Sequence, residues 1–284
     1  MEMAQSITAS AREAMRAVAF KAIEYGYDVK YGHTDSIFVK VKDVADAKQL
    51  CIRLNDYIRR EVFNECVELE FEKLAKTFFL SKKKNRYCGY LSWVDGEYLE
   101  EDKFFVMGFE MKKSNETKLA KDFQKKVLQM VASLKTEDEV TDYARNLYKI
   151  TLNGTVDYRT VIKRSRLRNA IEDYKMIAGG SAGVLYYNEQ NIGEIKVGDS
   201  YYFYNVKNKM IKGYPRRYEY QGRIRDVEYI ACKKIDEVIE NFPINWERIA
   251  DSEIVKKVTL VYDSLGWNVN EITQTGKQTS LSEW

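Results

Sequence analysis

The sequence predicts an α+β fold, and three changes of period predict it. Apolar residues recur at helical spacing over residues 4–25 and again over 43–58, which marks one-sided helices. Between about 67 and 107 the period falls to two around an Asp95-Gly96 turn, the pattern of an antiparallel sheet. From Thr117 the helical period returns and dominates the rest. The expected layout is a helix-backed antiparallel sheet over 1–110, a mostly helical part over 111–267, and a flexible polar tail over 268–284.

The elements follow in order. Ile7, Ala11, Ala14, Val18, Ala22 and Tyr25 make one apolar stripe, and Gly26 stops that helix. Residues 29–41 alternate about a Gly32-His33-Thr34-Asp35 turn, with Val29 and Tyr31 sharing a face before it and Ile37, Val39 and Val41 sharing one after it. Asp43 is placed to cap a second helix that buries Val44, Ala47, Leu50, Leu54, Tyr57 and Ile58. Val67-Glu68-Leu69-Glu70-Phe71-Glu72 reads as a strand with three carboxylates on one face and three apolar groups on the other. More strands are expected near 77–80, 86–93 and 98–107. Thr136 and Glu139 form a capping box, and Asn153-Gly154 ends that helix. Strand-like stretches recur at 156–163 and 200–206, and the last helices are expected over 226–241 and 246–264.

Composition excludes several classes. At 45% apolar and 31% charged residues the chain is ordinary for a globular protein, and no apolar run reaches the roughly 20 residues of a membrane span. Cys51, Cys66, Cys88 and Cys232 lie far apart, so neither a zinc site nor a disulfide framework is suggested and reduced thiols are expected. His33 is the only histidine, which excludes chemistry needing a histidine pair. A net charge of +3 does not by itself indicate a nucleic-acid partner, although basic residues cluster at Lys82-Lys83-Lys84, Lys112-Lys113, Lys163 to Arg168 and Arg216-Arg217.

A hairpin holding a carboxylate at its tip on a rigid support suits an acid that grips a metal ion. Taken alone, the turn also suits an ordinary polar hairpin. Its surroundings favour the first reading. Tyr31-Gly32-His33-Thr34-Asp35-Ser36 resembles motif C of family-B DNA polymerases, usually Tyr-Gly-Asp-Thr-Asp-Ser. Ser6-Ile7-Thr8-Ala9-Ser10-Ala11-Arg12 is similar to the family's helix before motif C, and Glu68-Leu69-Glu70 to a strand bringing auxiliary acids beneath the active site. Lys82 to Tyr90 resembles the Lys-Lys-Arg-Tyr-x-Gly motif, and Gly108 to Asn115 the palm-to-thumb junction. Leu167 to Lys175 and Ile195 to Asp199 resemble thumb segments. These matches keep the family's order along nearly the whole chain.

The resemblance implies a distal palm with motif C over 1–110, a thumb over 111–267 and a tail bearing a clamp-binding motif. It implies a DNA-directed DNA polymerase, archaeal in type, in which Asp35 is the catalytic, metal-bridging acid for two Mg²⁺ ions and Glu70 a supporting acid. Tyr31, Gly32, His33, Thr34 and Ser36 flank that site. Lys83, Lys84, Arg86 and Tyr87 are expected on a strand tracking the primer–template duplex, with Arg166 and Lys175 as thumb contacts. Departures are His33 for the first motif C Asp, Lys113 and Asn115 for Arg and Asp at the junction, and Asn85 interrupting the basic motif. His33 is expected beside the metal site and not as a ligand, since Mg²⁺ prefers oxygen.

No exonuclease acids, motif A or motif B are found, so the resemblance implies either the small subunit of a naturally split enzyme, which is the reading taken, or a truncated piece of a longer one. Its partners would be DNA, dNTP, a large subunit carrying motifs A and B, and a sliding clamp, with a cytoplasmic, nucleoid-associated location and no membrane. The alternative is a non-catalytic subunit that binds DNA and tethers a polymerase to the clamp. Gln278, Leu281 and Trp284 fit the Gln-x-x-Leu-x-x-aromatic pattern, which resembles clamp-binding boxes.

Overall fold

The structure, a computed structural model, describes residues 2–33, 35–62, 68–109, 111 and 116–274, the side chains of 2–8 excepted. It divides into two compact units. The first takes the described chain up to Phe79 together with Tyr87–Met107; the second takes Leu80–Arg86 and the described chain from Gly108 onward.

In the first unit, helix α1 (Glu2–Glu24) and helix α2 (Val44–Tyr57) pack along their apolar stripes. Val18 and Ala22 meet Leu50, Leu54 and Ile58 in one buried cluster. Asp43 caps α2 by accepting the Asp46 N–H at 2.9 Å, while Asp46 accepts the Lys42 N–H at 2.9 Å and the Tyr27 hydroxyl at 2.6 Å. These hydrogen bonds hold Asp46 below the usual carboxylate range. The helix continues into a π turn over Ile58–Val62.

Between the helices lies the hairpin β1 (Asp28–Gly32) and β2 (Ile37–Lys40). A three-stranded antiparallel sheet follows, with β4 (Tyr87–Val94) between β3 (Lys73–Leu80) and β5 (Glu97–Met107). Asp95 and Gly96 both take positive φ, 47° and 103°, as a tight two-residue turn demands. Burial holds the Cys88 thiol neutral, pushing it up to about 12.

The expected strand over 67–72 is corrected. Burial does alternate from Glu68 to Glu72, with the carboxylates outward, but the segment joins no ladder; Val67 lies outside the described residues. The Asn55 amide takes the place of a neighbouring backbone. Its Oδ1 accepts the Leu69 N–H at 2.7 Å and its Nδ2 donates to the Leu69 carbonyl at 2.9 Å. A side chain thus satisfies both polar groups that a strand partner would satisfy.

In the second unit, Thr117 caps α3 (Lys118–Ala132), and Thr136 with Glu139 forms the expected capping box of α4 (Glu137–Leu152). Gly154, at φ +69°, closes that helix. Beyond it, β6 (Lys163–Arg166) pairs with β7 (Ser200–Asn205), and helix α5 (Gly180–Glu189) lies between them in sequence. The hairpin β8 (Arg217–Tyr220) and β9 (Arg223–Asp226) precedes β10 (Tyr229–Cys232), which pairs with the other edge of β7. Helix α6 (Trp246–Ala250), a π turn over Asp251–Val255 and helix α7 (Lys256–Leu265) form one continuous helical run.

Buried Glu253 ties this unit together by accepting the Thr117 hydroxyl at 2.8 Å and pairing with Lys163 at 3.1 Å. Leaving such a carboxylate without partners would cost about 3–5 kcal/mol. One carboxylate therefore fixes the α3 cap and the start of β6 together.

Three expectations change here. The helix expected over 226–241 is instead β10 followed by a 3₁₀ turn at Ile235–Glu237. Ile230, Ala231 and Cys232 are all fully buried, and a continuous apolar run carries no period to separate strand from helix. The strand expected over 156–163 is a 3₁₀ turn at Tyr158–Val161, with β6 beginning at Lys163. The flexible tail expected from residue 268 is corrected over its first residues, where a 3₁₀ turn over Val269–Ile272 buries Ile272 completely; residues 275–284 lie outside the described residues. Among the described residues no helix is long and apolar enough to cross a membrane.

Candidate functional site

The β1–β2 hairpin has two differently packed faces. Val29, Ile37 and Val39 lie against the α1–α2 cluster. Tyr31 and Phe38 face the other way, into a set of half-buried rings: Phe38 stacks on Phe78 at 5.1 Å, and Tyr87 stands 5.1 Å from Phe38 and 6.1 Å from Tyr31. The sequence expectation that Val29 and Tyr31 share a face is overturned by a register shift between them. A bulge adds one residue to a strand and so reverses the side-chain alternation beyond it. Both faces of the hairpin are thereby held, and its tip is set on a rigid support.

At that tip the His33 N–H donates to the Ser36 carbonyl at 2.8 Å. The Asp35 carboxylate points to solvent, 85% exposed, with its Oδ1 3.6 Å from His33 Nδ1. Tyr87 is pushed up by burial first, then by Tyr31 and by the charge of Asp35. Thr34 lies outside the described residues.

Glu70 is exposed, and its charge, with that of Glu68, adds to the burial that raises the Cys51 thiol. Among the described residues no three His, Cys, Asp or Glu side chains converge into a metal-binding group. Two Mg²⁺ ions need several oxygen donors. The donor set of Asp35 beside His33 therefore fits one carboxylate's share of such a site, not the whole of it.

The basic residues stand differently from expectation. Lys83 and Lys84 occupy the turn joining β3 to β4, and only Tyr87 of that group lies on a strand. The turn is closed by the Ser81 N–H on the Arg86 carbonyl at 3.0 Å, with both lysines exposed and Arg86 half-buried.

In the second unit Arg164 and Arg166, alternate residues of β6, are exposed, as is Arg168 just beyond the strand. They line a cleft of about 870 Å³ together with Tyr174, Ser181, Tyr201 and Phe203. Arg166 Nε donates to the Gly198 carbonyl at 2.8 Å, which fixes its guanidinium at the rim. Lys175 is exposed but does not line the cleft. Only the arginine spacing signals this cleft in the sequence, because the rest of its lining comes from two other segments. Residues 110, 112–115 and the tail residues Gln278, Leu281 and Trp284 lie outside the described residues.

The family model for DNA polymerase family B matches residues 1–262. The chain belongs to DNA polymerase family B. Among curated relatives of this family-B chain, DNA polymerase 2 of Aeropyrum pernix is 33% identical over 161 residues, covering 57% of the chain and 18% of that protein. The DNA polymerase of Archaeoglobus fulgidus is 24% identical over 277 residues, covering 93% of the chain and 32% of that protein. The solved family B DNA polymerase from Pyrobaculum calidifontis superposes with a TM-score of 0.61 at 19% identity, over 97% of this chain and 30% of that one, which shows a shared fold. This family-B chain thus spans less than a third of the length of each. The α+β class read from the sequence is that of the structure.

Proposed function

We propose that this chain supplies the motif C part of the palm and the thumb of a DNA-directed DNA polymerase. In this reading it is the small subunit of a split replicative enzyme and works with a partner carrying motifs A and B. The observation that carries the reading is the exposed Asp35 at the tip of a hairpin packed on both faces. When bound, Mg²⁺ ions would activate the primer 3′-hydroxyl and hold the incoming triphosphate. Asp35 would give them one carboxylate, and Glu70 would support from further out. Tyr31, held in the ring cluster, and Gly32, Thr34 and Ser36 around the turn would fix the direction of that carboxylate. Tyr87 would steady the primer end. Lys83, Lys84 and Arg86 would follow duplex phosphates, as would Arg166 and Lys175 on the thumb; such contacts add affinity without reading sequence.

The test is primer extension. The rigorously purified chain should incorporate no nucleotide alone, and should do so with Mg²⁺ and a partner supplying motifs A and B. Incorporation by the single chain would overturn the division of labour. His33 in the place of a carboxylate favours a second reading, a non-catalytic subunit that holds DNA and the clamp. Under it, the assembled complex would extend primers equally well without Asp35.

The tail gives a separate expectation. Gln278, Leu281 and Trp284 recur at three-residue spacing, so one helical turn would present Leu281 and Trp284 together to an apolar pocket on a sliding clamp. Because DNA and clamp would be held by one molecule, losing the second contact should cost much more than its own affinity suggests. Leu281→Ala combined with Trp284→Ala should lower clamp-stimulated long-product synthesis roughly tenfold or more and leave clamp-free synthesis unchanged. Equal stimulation of the double variant would show that the tail has no such role.

A further inference from the structure

His33 changes the chemistry offered at the hairpin tip. Two oxygen donors there would suit Mg²⁺, which takes oxygen ligands almost exclusively. An imidazole beside a carboxylate is instead a mixed nitrogen and oxygen pair, which suits later divalent ions such as Mn²⁺, Co²⁺ and Zn²⁺. The geometry is favourable. His33 Nδ1 and Asp35 Oδ1 lie 3.6 Å apart. Two donors on one ion, each about 2.1 Å from it, stand roughly 3.0–3.6 Å from one another, depending on the coordination angle. The backbone behind them is fixed by the His33 N–H on the Ser36 carbonyl at 2.8 Å. Both side chains reach solvent, 43% and 85% exposed, so an ion has access to each.

We propose that His33 and Asp35 together hold one transition-series divalent cation through Nδ1 and a carboxylate oxygen, in preference to Mg²⁺. This rests on the reading of Asp35 as a metal-binding acid. It departs from the sequence expectation that His33 stands beside the metal without touching it. One negative charge fewer weakens the attraction for every divalent ion, but the nitrogen donor restores it selectively, following the rise in affinity from Mn²⁺ through Co²⁺. The tip becomes a filter for metal identity.

The single histidine makes the test direct, because the imidazole nitrogens of a ¹⁵N-labelled chain give signals from one residue alone. Co²⁺ and Mg²⁺ are titrated separately into the intact chain at constant neutral pH, with the ring signals observed by NMR. Co²⁺ should perturb Nδ1 more strongly than Nε2, at concentrations at least about tenfold below those at which Mg²⁺ acts. Asp35→Asn should raise the Co²⁺ concentration required by about tenfold, since the charged oxygen donor of the pair becomes a weaker, neutral amide oxygen. Ring signals indifferent to Co²⁺, an equal response to Mg²⁺, or an unchanged response in Asp35→Asn would each overturn the proposal. Asp35-dependent primer extension with Mg²⁺ alongside indifferent ring signals would remove the role of His33 and leave that of Asp35 standing.

Discussion

Primer extension by the assembled polymerase should fall on the order of 10³-fold in an Asp35→Asn variant, with folding and DNA binding unchanged. The size follows from the chemistry: a metal-bound carboxylate contributes several kcal/mol of charge stabilisation in the transition state, and each 1.4 kcal/mol is about tenfold in rate. The selectivity follows from the structure. Asp35 is 85% exposed and paired with His33 across 3.6 Å, so changing its charge disturbs little packing. His33→Asp, which restores a second carboxylate, should be tolerated or activating with Mg²⁺. Single-turnover incorporation beside a DNA-binding isotherm separates the two effects. Near-normal turnover of Asp35→Asn would give the tethering reading the better claim.

A large effect on the stability of the first unit is expected at Gly89. It sits in β4 opposite Phe105 of β5, and a Cβ there would lie 2.0 Å from the Thr77 carbonyl oxygen of β3 and 2.9 Å from Phe105 Cε1. Backbone on one side and a clustered ring on the other leave no flexible atom able to yield alone. Gly89→Ala should therefore destabilise the first unit by about 3 kcal/mol or more, as severe overpacking does. For a unit of this size that is a fall in Tm of roughly 10 °C or more. Gly32→Ala, where a Cβ meets nothing within 4 Å, is the control and should melt close to the wild type. A Gly89→Ala protein that melts with that control would show that β3 and β4 separate more easily than their register implies.

What the sequence discloses here is what local chemistry decides. The Asp43 cap, the Thr136–Glu139 box and the Asp95–Gly96 turn each depend on residues a few positions apart, and each stands where the sequence puts it. Strand β10 is hidden because an evenly apolar run has no period. The Leu69 segment is hidden for another reason: its partner is the Asn55 amide, fourteen positions away and not a strand at all. In the candidate site, the Asp35 turn shows as a hairpin because both its arms alternate. The bulge that turns Tyr31 onto the ring cluster leaves no mark in that alternation. The cleft is half visible, in the arginines at 164, 166 and 168, while the rest of its lining depends on how α5 and β7 come together with β6.

The turn between β3 and β4 belongs to the second unit, where the Lys82 N–H donates to the Ser264 hydroxyl across 182 positions of sequence. A ribosome adds about 5–20 residues per second, so Ser264 follows Lys82 by roughly 10–40 s. During that interval the first unit has all its strands and can close around a turn whose partner has yet to be made. The second unit, in contrast, is finished only once Ser264 has been made, by a segment that left the ribosome 182 positions earlier. A fragment ending at Met107 would carry that turn away from the unit that needs it, and a fragment starting at Gly108 would lack it, so no single cut releases both units whole.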